Sequence, residues 1–169
     1  MSAAAMDTPA ARRRRRAAIA EHLLAAAPDA APDIEWDLLD RAPAWLALDA
    51  SASDRLQCRA GAVLCGAELR LWIDRPRVAA ARAAVGERFW KALLARPVAL
   101  PASPARVGAD APVAQRLQSL GAAVLLATLE APVLRRAAAP LLAPPVLLDM
   151  HPEAARQVLA AVAQLEAAP

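Results

Sequence analysis

Alanine fills 49 of the 169 positions, and this limits the folds open to the chain more than any other feature. Alanine has the strongest helix propensity of the amino acids and buries little area per side chain. Residues that favour a pleated sheet are scarce: there is no Tyr, a single Phe, and Ile only at positions 19, 34 and 73. An all-α protein follows. The length suits one core without disulfides or metals. The pattern predicts a single compact domain of about seven or eight helices around a central helix near residues 53–73.

That central helix is the clearest segment. Leu56, Ala60, Val63, Ala67 and Leu71 recur at three- and four-residue steps and define one buried face. Cys58, Cys65, Leu69 and Trp72 lie opposite, leaving Arg55, Arg59 and Arg70 in one intervening strip and Gln57 with Glu68 in another. Gly61 and Gly66 would each cost about 1 kcal/mol in a helix interior, which points to close approach of a neighbouring helix.

Elsewhere, punctuation marks the elements. Residues 1–9 read as a disordered N-terminus, 10–27 as a basic helix or arm, and 28–169 as the helical body. Asp33 and Pro43 open short elements carrying Trp36 and Trp45. Asp74 and Pro76 start a helix that stops at Gly86, and a second helix carries Phe89, Trp90, Leu93 and Leu94. Residues 97–109 read as a loop, Asp110 and Pro112 begin an apolar helix, and a last amphipathic helix starts at Pro152. With so much alanine, the four tryptophans are required chiefly as core volume, any exposed one being a contact point.

Charge is segregated. Arg12, Arg13, Arg14, Arg15 and Arg16 outweigh the formal net charge of +3, so the remainder of the chain is net acidic. Asp29, Asp33, Glu35, Asp37, Asp40, Asp49 and Asp54 follow, opposed only by Arg41. Two such blocks attract each other or separate partners. A nucleic-acid-binding or regulatory protein using the Arg12–Arg16 arm is the alternative reading, and an anionic membrane surface a further possible target. Five successive arginines form a collar around a helix, however, and no aromatic flanks them to stack a base.

Chemistry has few candidates. His22 and His151 sit in no catalytic signature, and Cys58 and Cys65 lack zinc-ligand spacing. Glycine-rich phosphate signatures are absent. No enzyme, cofactor or metal site is expected. Two cysteines in a chain of this size fit a reducing cytoplasm, no apolar run reaches the length of a membrane span, and Glu21 with His22 argues against a cleaved signal.

The segment "CRAGAVLCGAELRLWIDRPRVAAARAAVGERFWKALL", Cys58 to Leu94, resembles the SctK family of type III secretion accessory proteins. A small-residue helix ends in Gly66, Leu69 and Arg70, an Ile73-Asp74 turn follows, then a helix of arginine and alanine, Gly86 and an aromatic pair. "DRAPAWLAL" at 40–48 and "LGAAVLLATLEAPVLRRAAAPLLAPP" at 120–145 are similar to the family's end segments, although Asp40 and Arg41 stand where it often has Tyr and His. The resemblance implies a cytoplasmic, non-enzymatic adaptor of the sorting platform, peripheral to the inner membrane. Its partners would be the pod protein SctQ and the cytoplasmic domain of the ring protein SctD. Expected contact residues are Trp36, Asp37, Asp40 and Trp45 in the acidic segment, and Arg70, Asp74, Arg75 and Arg77 around the turn.

Overall fold

The computed structural model describes residues 8–29, 34–96, 105–108 and 111–168. Among these are nine α-helices, two 3-10 turns and no strand. The helices are α1 (Pro9–Ala26), α2 (Trp36–Arg41), α3 (Ala50–Leu64), α4 (Gly66–Leu69), α5 (Arg75–Val85), α6 (Glu87–Ala95), α7 (Val113–Ala127), α8 (Pro132–Ala138) and α9 (Pro152–Glu166). The 3-10 turns are Ala44–Ala47 and Ala139–Leu141.

Local chemistry sets many of the boundaries. The Thr8 hydroxyl accepts from the Ala11 amide at 3.2 Å to cap α1. Asp49 caps α3 by accepting from the Ala52 amide and the Ser51 hydroxyl, each at 2.8 Å. Those bonds hold its carboxyl below the usual carboxylate range. Gly86, at φ 91°, takes a conformation costly for any other residue and separates α5 from α6. His151 precedes Pro152, and its Nδ1 accepts from the Glu153 amide at 3.3 Å to cap α9.

α3 and α7 form the central pair. Gly61 faces Leu117 and Gly121 faces Gln57, so the two helices run antiparallel with their backbones nearly touching. A Cβ on Gly61 would stand 2.1 Å from the Leu117 carbonyl oxygen, and one on Gly121 only 1.8 Å from that of Gln57. Two apolar clusters flank the pair. The first gathers Leu69, Val85, Phe89, Trp90, Leu93, Leu117 and Val158. The second gathers Ile19, Leu23, Leu39, Trp45, Leu46, Leu125 and Leu134. α7 supplies both, through Leu117, Leu120 and Val124 on one side and Ala122 and Leu125 on the other.

The expected helix at 53–73 is interrupted. α3 begins earlier, at Ala50, and ends at Leu64, where Cys65 turns to φ −97° and ψ 13°; α4 adds one short turn. Beyond the break the chain leaves the predicted face, so Ala60 and Val63 are buried but Ala67 and Leu71 are exposed. Gly66 has ordinary contacts at 3.5 Å, and Gly121, not Gly66, completes the close approach. Gln57, placed by periodicity on a polar strip, is fully buried. Its Nε2 donates to the Ser53 hydroxyl at 3.3 Å and its Oε1 accepts from the Ala143 amide at 2.9 Å, which ties the proline-rich segment to the central helix. Asp74 occupies the N-cap position of α5 without a side-chain capping bond. The expected caps Asp33 and Asp110, residues 1–7, and most of the 97–109 loop lie outside the described residues.

Candidate protein-contact surface

The turn between α4 and α5 is built by hydrogen bonds that hold its backbone and leave two side chains in solvent. The Leu71 amide bonds to the Glu68 carbonyl at 3.0 Å and the Trp72 amide to the Leu69 carbonyl at 3.3 Å. Arg70 reaches across to the end of α6, donating to the carbonyls of Leu93 at 2.7 Å and Arg96 at 3.0 Å. The Arg77 guanidinium lies 4.0 Å from the Trp72 ring centroid and donates to the Gly108 carbonyl, so the indole is half-buried. Leu71 and Ile73 are held outward, 80% and 95% exposed. Asp74 and Arg75 are exposed beside them.

The acidic segment forms a second group, packed on the second cluster. Arg16 pairs with Asp40 at 3.1 Å and its guanidinium lies 5.4 Å from the ring centroid of Trp36, which is 66% exposed. Arg15 donates to the Asp40 carbonyl at 3.4 Å, and Arg41 Nε to that of Asp37 at 3.2 Å. Arg12, Arg13 and Arg14 are exposed, and Arg12, Arg13 and Arg16 line a groove with Pro9 and Asp40. The basic and acidic blocks therefore meet each other. Trp45, expected at the contact surface, is drawn inside instead. It is 7% exposed, with its indole N–H donating to the Thr128 hydroxyl at 3.2 Å, and that hydroxyl donating to the Leu125 carbonyl at 2.6 Å. The partner that makes its burial tolerable lies on α7's end, far away in sequence.

One pattern escaped sequence reasoning. Helix C-termini leave carbonyls without intrahelical partners, and arginines from other elements repeatedly supply the donors. Arg59 Nε serves Val85 at the end of α5 at 3.2 Å, and Arg88 Nε serves Ala168 beyond α9 at 3.1 Å. Arg135 serves Leu129 beyond α7 at 2.7 Å, and Arg70 serves α6 as above. The only available signal was the near-exclusion of lysine: Lys91 is the single lysine among 20 basic side chains. The guanidinium's planar fork of donors suits carbonyls at fixed positions better than an ammonium does.

Groups that carry chemistry are engaged elsewhere. His22 Nδ1 lies 3.1 Å from the Leu46 carbonyl oxygen. Cys58 and Cys65 are free and buried. Desolvation, reinforced by Asp54 and Glu68 respectively, pushes their thiols up to about 11 and about 12. Among the described residues no cluster of His, Cys, Asp and Glu is arranged to hold a metal ion, and no helix is long and apolar enough to cross a membrane. A groove of about 440 Å³ between α2 and α8 is walled by Leu38, Pro43, Leu129 and Leu134. At its mouth Arg156 is taken up by Glu130 at 2.9 Å and Glu153 at 3.0 Å. Compared with known proteins, the chain matches no family model, no curated protein and no solved structure.

Proposed function

We propose that this protein is a non-catalytic adaptor of a bacterial type III secretion sorting platform, cytoplasmic and peripheral to the inner membrane. In this reading it joins the pod protein SctQ to the cytoplasmic domain of the ring protein SctD. The observation that carries it is the exposure of Leu71 and Ile73 on a turn whose backbone is fixed on both sides. Large aliphatic side chains held in water on a rigid support are suited to burial against another molecule. That turn lies inside the segment whose sequence resembles the SctK family. Trp36, on the opposite cluster, supplies a second exposed anchor, so two surfaces on different elements are available for two partners.

Co-purification tests the proposal. The full chain is expected to retain both SctQ and the SctD cytoplasmic domain, and Leu71→Ser with Ile73→Ser is expected to lose one of them. Failure of the unaltered chain to retain either removes the reading. The nucleic-acid alternative has less support, because Arg16 is already paired with the Asp40 carboxylate. It predicts duplex binding with a steep salt dependence that disappears when residues 1–17 are deleted.

A further inference from the structure

We infer that the turn at residues 70–77 docks into an apolar pocket with acidic walls on a partner protein. This rests on the adaptor reading and adds the chemistry of the partner.

The charge around Leu71 and Ile73 is the basis. Arg70 and Arg77 donate to carbonyls, which anchors them without cancelling their charge, and the buried Nε of Arg70 keeps no partner. Arg75 and Arg96 pair with no carboxylate among the described residues. The neighbouring acids are Asp74 and Glu68, and the Glu68 carboxylate accepts from the Val107 amide at 2.9 Å. Four guanidinium groups thus stand against two carboxylates. All belong to the turn or to the helix end bonded to it. A partner surface closing over the two aliphatic side chains must face this field, and only a negative surface does so favourably.

Shape favours a pocket over a flat surface. Only Leu71 and Ile73 project, since Trp72 is covered by Arg77 and half-buried. The bonds to Glu68, Leu69, Leu93 and Arg96 hold the turn before any partner arrives, so little ordering entropy remains to be lost. A lipid surface is normally engaged by a longer amphipathic face than two side chains provide.

The test measures binding of the full chain to purified SctQ and to the SctD cytoplasmic domain at about 50 and 500 mM NaCl, a range over which screening rises steeply. Arg75→Glu is the key variant. It sits at the start of α5, where a carboxylate suits the helix dipole, so folding is preserved. Thermal melting verifies this for each variant. Wild type is expected to bind one partner with an association rate that falls severalfold at high salt. Arg75→Glu is expected to weaken binding about tenfold, mainly through association, and Leu71→Ser with Ile73→Ser at least as much, mainly through dissociation. If Arg75→Glu binds like wild type while the aliphatic variant fails, the pocket is not acidic and this inference falls, with the adaptor reading intact. If both variants bind like wild type, the turn is not the docking surface. If wild type binds neither protein, both readings fall. Sedimentation with phosphatidylglycerol vesicles that Arg75→Glu abolishes would then assign the surface to anionic lipid.

Discussion

At Gly121 there is no room for one further carbon, and the packing of the molecule turns on that. Gly121→Ala and Gly61→Ala each push a methyl into a carbonyl of the opposing helix. Each is expected to lose about 1–3 kcal/mol, read as a lower urea midpoint at unchanged slope. Gly66→Ala meets only ordinary contacts and is expected to stay within about 0.5 kcal/mol of wild type. The cysteines give a second prediction. Their thiols are buried and stay protonated, so a disulfide reagent at pH 8 is expected to label them only as fast as the protein opens. Because folding raises both values, unfolded thiols ionise first. This contribution to stability is complete below about 9 and is lost as pH climbs towards about 11 and 12. The sequence made Gly61 legible as a close-approach site, since a glycine within an apolar helical stripe has few other uses. Gln57 was illegible. Periodicity assigns an amide to the outside, and the backbone amide that rewards its burial belongs to Ala143, 86 residues away.

α1 is the element whose attachment is most mixed. Ile19 and Leu23 plug the second cluster, whereas its first half is held to α2 by Arg15 and Arg16 on Asp40. Partly exposed ion pairs contribute little, roughly 0–1 kcal/mol, while truncating a buried isoleucine costs about 2–5 kcal/mol. Asp40→Asn is therefore expected to speed amide exchange in the first half of α1 with little change in global stability, and Ile19→Ala to lower the melting temperature. Exchange mass spectrometry and thermal melting separate the two. Helix starts and stops were largely readable because Pro76, Gly86 and Pro152 act through their own backbones, and α5, α6 and α9 lie close to where those residues put them. The break at Cys65 was not, since neither Cys65 nor Gly66 forbids a continuing helix. The exposed turn therefore appeared on the sequence as the last turn of a buried one.

For the molecule as a whole, α7 is the shared wall of two apolar clusters, and neither cluster keeps its packing if that helix leaves. One cooperative transition is expected. Fluorescence from variants retaining Trp45 alone or Trp90 alone should give coincident urea midpoints, because one indole reports each cluster. Two separated midpoints would show that the clusters melt independently. The arginines that bind helix-end carbonyls have a further consequence at this scale. A guanidinium anchored on a neutral oxygen stays cationic, so Arg70 braces the interior and electrifies the outside, whereas the charge of Arg59 is met by Glu166. Strong brine would quiet that outer field yet leave the bracing in place, so under the proposed adaptor reading a partner would come away long before the protein lost its own shape.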